Sequence, residues 1–468
     1  MTTKIFTQEA TIQFSPRILS DALGSKIIER DSIAIAEQVK NANDANANKV
    51  TIDFSKMYSA NIIEISDNGE GMTSEEIRSK WFLVATNNKE HDTDQLGGKG
   101  IGRFSFFRLG DEIKVETTKN GITSSFTLKK EELEKGQTTD NIIINIHQVE
   151  VNQNKESGTK ISIYNLNNDI DLNEISLDLE NLNEPFTTKN FTIIYPQSFN
   201  PTKYLTINRA IQYAPFYVSG EVEGDNLIKY TFKCIFNGKT IYKNEIPTQL
   251  FVNNPKNVNI GKVKFEIYNY YFAHWFANKI DIKKTTLQAG FLNAYQGITV
   301  YRNSYKIYGH GKEDWLKLAE KRVLKGSESF DNKLTFGYIV LDPKSSTSLE
   351  EKTNREGFLR GKVQKYFFDA TNTIIDEFNK DRKIAIQKLK KHINTLEASK
   401  EDKNTPTAGN PTNGANTSTA GNSTNGATNT STAGNSTNGA TNTSTAGNST
   451  NGANTSTAGN PTNGANTS

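Results

Sequence analysis

The chain of 468 residues carries 55 lysine and arginine residues against 52 aspartate and glutamate residues, which leaves a net charge of +3. This balance gives no overall field for nucleic acid, so only a local basic patch would bind it. The single cysteine, Cys234, excludes an intrachain disulfide, and we find neither an apolar signal core nor a membrane-length stretch, so we expect a cytoplasmic protein without membrane contact.

Strand and helix patterns along the chain predict an α+β fold. Residues 1–170 combine alternating strands such as NKVTIDF with a helical segment, so we expect an α/β sandwich with helices on one face of a mixed sheet. Residues 171–361 are again rich in strands, among them GITVYRN and LTFGYIVLD. We expect this region to form a second α+β domain.

Two further regions follow these domains. Residues 362–403 predict one long helix, and its apolar stripe favours packing on its own domain over a coiled coil. Residues 404–468 are without charged or aromatic residues and repeat the unit STAGNSTNGATNT, so we expect a flexible, disordered tail. The helical stripe comprises Phe367, Phe368, Ile374, Ile375, Phe378, Ile384 and Leu389.

The segment AIAEQVKNANDANA predicts a helix that carries several polar residues of poor helix propensity. Glu37, Asn41 and Asp44 have the spacing i, i+4 and i+7, so they share one helical face. Asp31 or Ser32 would cap the N-terminus of this helix. A carboxylate beside an amide oxygen suits Mg²⁺ and a neighbouring water, whereas the alternative is an ordinary solvated face.

The segment DNGEGM begins where a predicted strand ends. Gly69 and Gly71 let the backbone turn tightly and admit a flat ligand. An ionised carboxylate only accepts hydrogen bonds, so Asp67 would prefer adenine, whose amine donates, over guanine, whose O6 accepts. The alternative is an ordinary Asn-Gly turn.

A glycine-rich segment, GGKGIGRFS at residues 97–105, leads into an apolar helix start. Backbone N–H groups in such a loop can wrap phosphates, and Lys99 and Arg103 add positive charge. The lysine followed by serine or threonine of a P-loop is missing, so we do not expect that fold. Further along, SGTKISI places the hydroxyl of Thr159 at the start of a strand, where it would lie next to a base.

Taken together, these segments resemble the motifs of the GHKL ATPases, whose nucleotide site is the Bergerat fold. EQVKNANDANA resembles the family's N-box, DNGEGM its first glycine box, GGKGIGRF its lid box and GTKI its final adenine-side box. The family includes gyrase B subunits, MutL-type repair proteins, the ninety-kilodalton heat-shock chaperones, MORC proteins and histidine kinases. All four segments lie within residues 37–161, in the family's order.

The resemblance implies that the chain binds ATP with Mg²⁺ and hydrolyses it. Glu37 would be the general base for the attacking water, and Asn41 would ligate Mg²⁺. Asp44 would hold the site through hydrogen bonds, and Asp67 would accept from the adenine amine, directly or through a water. Lys99 would also act in catalysis. The other positions implied to contact the nucleotide are Gly69, Gly71, Met72, Gly98, Lys99, Gly100, Ile101, Gly102, Arg103 and Thr159.

A wider resemblance covers about residues 8–360 and points to stand-alone prokaryotic GHKL proteins, some of which are linked to defence against phage or mobile DNA. It implies homodimerisation on ATP binding, a protein partner encoded nearby, and a transducer-like second domain that sends a basic residue to the γ-phosphate. Arg355 is the catalytic candidate, since a guanidinium fork suits phosphate. The alternatives are Lys306, or a role of Arg355 within its own domain, paired with Glu351.

Two other functions would use the same pocket. A histidine kinase transfers phosphate to a histidine, yet Glu37 would activate water, and His392 follows the nucleotide domain whereas the kinase arrangement places the acceptor before it. An ATP-gated clamp or scaffold would bind ATP and hydrolyse little. DNA is a further candidate partner through a basic helix segment, for which the alternative is ordinary solvated charge. This segment contains Lys380, Arg382, Lys383, Lys388, Lys390 and Lys391.

Overall fold

A computed structural model of the chain describes residues 15–19, 28, 30–83, 102–135, 138, 142–151, 156–167, 169–187, 191–224, 226–247, 249–250, 258–309, 314–325, 330–352 and 357–404. All of these residues belong to one compact unit, Met1–Thr405. The predicted lid residues Gly98, Lys99, Gly100 and Ile101, the predicted catalytic Arg355 and the repeat tail lie outside the described residues.

The first sheet carries seven strands in the order β5-β4-β3-β6-β2-β1-β7 among the described residues. Neighbouring strands are antiparallel except for β1 and β7, which are parallel. Side chains alternate between the two faces of each strand, so Val50 and Ile52 enter the core. The strands are β1 (Val50–Asp53), β2 (Ile62–Asp67), β3 (Gly110–Lys119), β4 (Ile122–Lys129), β5 (His147–Glu150), β6 (Gly158–Leu166) and β7 (Thr192–Ile194).

The second sheet has the order β10-β9-β8-β12-β15-β13-β14, with β11 paired to β9. Its neighbours are antiparallel except for β13 and β15. The presence of two mixed or largely antiparallel sheets with helices confirms the predicted α+β class. The strands are β8 (Phe216–Glu223), β9 (Asn226–Phe236), β10 (Lys239–Ile246), β11 (Gln249–Leu250), β12 (Lys262–Asn269), β13 (Gly297–Arg302), β14 (Tyr305–Tyr308) and β15 (Thr335–Leu341).

The helices are short, with the exception of the first and the last. No described helix combines the length and the apolar composition that crossing a bilayer requires. The α-helices are α1 (Asp31–Asp44), α2 (Met57–Ala60), α3 (Ser74–Glu76), α4 (Lys130–Lys135), α5 (Leu172–Glu180), α6 (Ile207–Ala210), α7 (His274–Ala277), α8 (Lys284–Leu287), α9 (Asn293–Tyr295), α10 (Leu318–Lys325) and α11 (Lys362–Asn404). Gly102–Arg108, Ile211–Tyr213 and Asn332–Leu334 are 3₁₀ helices, and Ile77–Trp81 and Gln288–Leu292 are π-helical turns.

Helix α1 packs into the core of the first sheet, and its N-terminus differs from the prediction. Arg30 occupies the N-cap position and makes no side-chain cap hydrogen bond. Asp31 instead accepts a hydrogen bond from Arg108 Nε at 2.8 Å, and Ser32 Oγ donates to Asp178 at 2.6 Å. The predicted cap by Asp31 or Ser32 is therefore wrong, because both side chains hold the helix to neighbouring segments.

Helix α11 confirms the predicted long C-terminal helix, and it packs on the second sheet as expected. Phe367, Ile375 and Phe378 share one core cluster with the strands of that sheet. Ile384 departs from the prediction because 43% of its surface is exposed. Arg382 is buried, and its Nε donates to Asn269 Oδ1 at 2.8 Å, so it does not belong to the exposed basic segment. The predicted boundaries of the domains stay a prediction.

Candidate functional site

A cavity of about 490 Å³ lies beside α1 on the first sheet. One wall comes from the polar face of α1, another from strands β2 and β6, and the remainder from the segment around the π-helical turn. Such a volume suits a small organic ligand. The lining residues are Gln38, Asn41, Ala42, Asp44, Ala45, Ile65, Asp67, Glu70, Gly71, Met72, Glu76, Lys80, Trp81, Arg103, Phe106, Lys119, Thr159 and Ile161.

Asp67 stands at the end of β2 directly opposite Thr159 of β6. Its Oδ1 atom accepts from the backbone N–H of Gly69 at 2.8 Å and from that of Thr159 at 3.3 Å. Burial raises the pKa of Asp67 above its usual 3.8, while the two backbone hydrogen bonds partly offset that rise. The Oδ2 atom accepts no hydrogen bond from the described residues, so the carboxylate keeps acceptor capacity for a ligand.

Gly71 explains why the turn after β2 needs glycine. Its φ of +65° lies in the left-handed region, and a Cβ built there would come within 2.0 Å of the Thr118 carbonyl oxygen. A side chain at this position would therefore push the turn away from β3. The close approach brings Met72 to the cavity wall, where its backbone N–H donates to Thr117 Oγ1 at 2.8 Å.

Thr117 is a site residue that sequence reasoning missed. It is the direct partner of Thr159 across β3 and β6, and its side chain is fully buried. The two hydroxyl oxygens are 3.1 Å apart. A signal was present, because Thr117 lies two residues after Val115 and so takes an inward position of an alternating strand, where a polar side chain is unusual.

Asn41 and Asp44 present oxygen atoms from α1 to the cavity. The Asn41 amide nitrogen donates to Gln38 Oε1 at 3.2 Å, and Gln38 Nε2 donates in turn to Ser105 Oγ at 2.9 Å. This chain of hydrogen bonds leaves the Asn41 amide oxygen as an acceptor. An amide oxygen next to a carboxylate fits Mg²⁺, which commonly takes one or two protein ligands together with substrate phosphates. Within the described residues no cluster of three or more histidine, cysteine or acidic side chains forms a separate metal site.

Glu37 occupies a different position from these two residues. Its side chain is buried, and its Oε1 lies 3.5 Å from Nζ of Lys40, which is buried as well. Glu37 does not line the cavity, although it lies one helical turn before Asn41.

Positive charge surrounds the opposite side of the cavity. Arg103 donates from one guanidinium nitrogen to the carbonyl oxygens of Lys80 at 2.7 Å and Trp81 at 2.5 Å, and burial lowers its pKa to about 10. Lys119 and Lys80 both contact the Glu76 carboxylate. Hydrogen bonds from the Thr73 backbone and from Lys119 lower the pKa of Glu76 to about 2. This side of the cavity is therefore pre-arranged through existing ion pairs.

Most of the predicted residues that the structure describes lie in or next to this cavity. Gly69 and Gly102 border the site through backbone contacts, with the Gly102 carbonyl oxygen 3.4 Å from Gln38 Nε2. Lys306 is not in the lining; its Nζ donates to the Asp178 carbonyl and to Asn181 Oδ1 at 2.6 Å, and burial lowers its pKa to about 8. The predicted residues that line the cavity are Asn41, Asp44, Asp67, Gly71, Met72, Arg103 and Thr159.

Comparisons with known proteins match the part of the chain that forms most of this cavity. Residues 29–159 match the family described as "Histidine kinase-, DNA gyrase B-, and HSP90-like ATPase". The chain is 26% identical to a putative type II restriction enzyme, HgiDII, of Herpetosiphon aurantiacus over 306 residues, which are 59% of this chain and 46% of that protein.

Two further relatives match shorter regions. The DNA mismatch repair protein MutL of Streptococcus uberis is 31% identical over 109 residues, 22% of this chain and 16% of that protein. The chaperone protein HtpG of Methylococcus capsulatus is 28% identical over 127 residues, 25% of this chain and 18% of that protein. The matched region thus spans less than half of each relative's length. The matches support membership of residues 29–159 in the GHKL ATPase superfamily, and Asn41, Asp67, Gly71 and Thr159 of this region line one cavity.

Proposed function

We propose that this chain binds ATP with Mg²⁺ in the cavity beside α1 and hydrolyses it. The observation that carries the proposal is the carboxylate of Asp67, whose two backbone hydrogen bonds both end on Oδ1. Its Oδ2 atom is left to accept from the exocyclic amine of adenine. Guanine would present its O6 acceptor to the same oxygen, so the site favours adenine.

The polar face of α1 supplies the phosphate end of the proposed site. The Asn41 amide oxygen would ligate Mg²⁺, which would offset the negative charge of the phosphates, and Asp44 would hold the site through hydrogen bonds. Gln38 fixes the orientation of the Asn41 amide through its own hydrogen bond. The glycine-rich segment 97–102 would close over the phosphates through its backbone N–H groups, with Lys99 adding charge. Arg355 is our candidate for the basic residue that the second domain contributes, with Lys306 as the substitute.

Glu37 is the proposed general base, which takes a proton from the attacking water. Its neighbour Lys40 and its place outside the cavity lining favour a second candidate function, an ATP-gated clamp that hydrolyses slowly. In that function the carboxylate would reach a water only after a rearrangement of α1 or its surroundings. Hydrolysis would then reset the clamp, and ATP binding would be the working step.

ATP binding would drive homodimerisation, as the family resemblance implies. The names of two relatives, a putative restriction enzyme and a mismatch repair protein, support a DNA-related or defence process. A protein partner encoded nearby would then act with the ATP-bound form. Lys383, Lys390 and Lys391 remain exposed on α11 as candidate DNA contacts.

The test is a Glu37→Gln variant compared with the unaltered chain, with the exposed Glu75→Gln as a matched control. We expect ATP affinity within about twofold of the unaltered chain and a hydrolysis rate lower by about 100-fold or more, because a positioned general base commonly contributes that much. Calorimetric titration and a phosphate-release assay measure the two quantities. Light scattering of Glu37→Gln with ATP would show the dimer in its trapped form.

Each result separates one part of the proposal. Unchanged turnover in Glu37→Gln would remove Glu37 from the role of base. Very slow turnover in the unaltered chain, together with an ATP-dependent dimer, would select the clamp. An unaltered chain without affinity for ATP would overturn the proposed function.

A further inference from the structure

Thr117 lies behind the cavity wall, in a row that runs across three neighbouring strands. Asp67 of β2 is opposite Thr159 of β6, and Thr159 is opposite Thr117 of β3. Of these three residues, Asp67 and Thr159 line the cavity, whereas Thr117 is fully buried. We propose that Thr117 is a specificity-determining positioning residue, which makes the cavity select adenine over guanine by fixing the direction of the Thr159 hydroxyl. This inference rests on the proposed binding of ATP.

The hydroxyl of Thr117 has three polar neighbours and a single proton. It must accept from the backbone N–H of Met72 at 2.8 Å, because that group can only donate. It donates to the Gly158 carbonyl oxygen, 3.3 Å away, because a carbonyl oxygen can only accept. The third neighbour is Thr159 Oγ1 at 3.1 Å, where either oxygen can supply the proton.

Only one arrangement satisfies all three contacts. Thr117 then donates to Gly158, accepts from Met72, and accepts again from the Thr159 hydroxyl. If Thr117 donated to Thr159 instead, the Gly158 contact would lose its proton and the arrangement would contain one hydrogen bond fewer. A buried hydroxyl without access to water favours the arrangement with more hydrogen bonds.

The favoured arrangement decides what the cavity offers a base. The Thr159 hydroxyl uses its proton in the hydrogen bond to Thr117, so toward the cavity its oxygen can only accept a hydrogen bond. Asp67, when ionised, also only accepts. The row therefore presents two acceptors side by side, which match the two N–H donors of an adenine amine or of a bridging water. Guanine would bring its O6 acceptor against both of them, and the unmatched polar groups would lower its affinity.

The experiment measures the ratio of ATP affinity to GTP affinity, each nucleotide with Mg²⁺, by calorimetric titration. Thr117→Val keeps the shape of the side chain and removes the hydroxyl, so Thr159 regains a proton that can donate to O6 of guanine. We expect the ratio to fall about tenfold, the change that one hydrogen bond of ordinary strength produces. Thr117→Ser restores the hydroxyl, and the ratio should stay within about twofold of the unaltered chain.

A neighbouring residue provides the matched control. Thr118 is also buried on β3, but its hydroxyl pairs with Thr123 at 2.9 Å and its side chain does not line the cavity. Thr118→Val removes a comparable hydrogen bond and should leave the ratio unchanged. Thr159→Val should also lower the ratio, because it removes one of the two acceptors, and adding Thr117→Val to it should have no further effect, because Thr117 acts through Thr159.

The outcomes distinguish this inference from the function on which it rests. An unaltered chain without ATP affinity overturns both. Retained ATP binding with a Thr117→Val ratio equal to that of the unaltered chain overturns the role of Thr117 alone, even if both affinities fall together. If Thr117→Val does not fold, Thr159→Val decides, since a ratio that it leaves unchanged also overturns the inference.

Discussion

Two aspartates, the half-buried Asp67 of the first sheet region and the buried Asp381 of the second, differ in how their carboxylates are hydrogen-bonded. Asp67 of the first region receives two backbone hydrogen bonds on one oxygen only. Asp381 of α11 receives hydrogen bonds on both oxygens, from Tyr230 at 2.8 Å, from Tyr242 at 3.1 Å, and from Asn244 at 3.0 Å and 3.2 Å. Among the described residues, the first carboxylate keeps an oxygen for a ligand and the second has both oxygens occupied.

This difference separates a proposed binding group from a structural one. A buried charge is tolerated when hydrogen bonds replace its water. Asp381 meets that condition within the protein, and its hydrogen bonds connect α11 to β9 and β10. Burial, together with the Asp381 carboxylate, raises the pKa of Tyr230. Asp67 meets this condition only in part, because one of its oxygens accepts both hydrogen bonds. The unliganded site is therefore less stable, and a ligand that donates a hydrogen bond to the other oxygen would stabilise it. Three predictions test this difference between the two aspartates.

The largest effect is expected from Asp67→Asn. The new amide can keep its oxygen at the Gly69 and Thr159 N–H groups, while its nitrogen turns a donor toward the cavity. We expect ATP affinity to fall about 100-fold or more, because two donors would face each other at the adenine amine. The unliganded variant should be at least as stable as the unaltered chain, since a desolvated charge has gone. Calorimetry and thermal unfolding measure the two effects, and equal ATP affinity would refute the role of Asp67.

A smaller effect, on stability rather than binding, is expected from Asp381→Asn. One of the two acceptor oxygens becomes a donor beside Tyr230 or Tyr242, so the free energy of unfolding should fall by about 2 kcal/mol. ATP affinity at a temperature where the variant is folded should not change. The exposed Asp369 of the same helix provides the control Asp369→Asn. Chemical denaturation measures the difference, and a variant as stable as the control would contradict a structural role for this network.

The smallest effect on the free energy of unfolding is expected from pH. Burial raises the pKa of Asp67 above 3.8, so the folded chain takes up this proton at a higher pH than the unfolded chain does. The contribution of Asp67 to the unfolding free energy therefore decreases as pH rises through the window between 3.8 and the folded pKa. ATP affinity should change in the opposite direction, because protonated Asp67 loses its acceptor role as pH falls through that window.

The pH prediction is read from the difference between the unaltered chain and Asp67→Asn, which cancels the titration of the other carboxylates. Binding measured across the acidic range should converge toward the variant as Asp67 becomes protonated. A difference in ATP affinity that stays constant with pH would mean that adenine binding does not depend on the charge of Asp67.

Local patterns predicted much of the site. The spacing of Asn41 and Asp44 placed both on one helical face, and the glycines after Asp67 marked a turn that needs a left-handed residue. Such features depend on a few consecutive residues, which explains why they can be interpreted without the fold. The N-cap prediction failed for the same reason, because Ser32 is held by Asp178, which lies 146 residues further along the chain.

The amino-acid sequence alone predicted the α+β class, the long C-terminal helix and the residue types of the candidate site, because helical and strand periodicity and turn chemistry are short-range. Tertiary packing was needed to show that Thr117 lies behind Thr159, that Arg382 is buried, and that Glu37 lies outside the cavity lining. Sheet register and packing join residues that are distant in the chain, and a shift of one position would turn Thr117 to the other face. No local pattern carries that information.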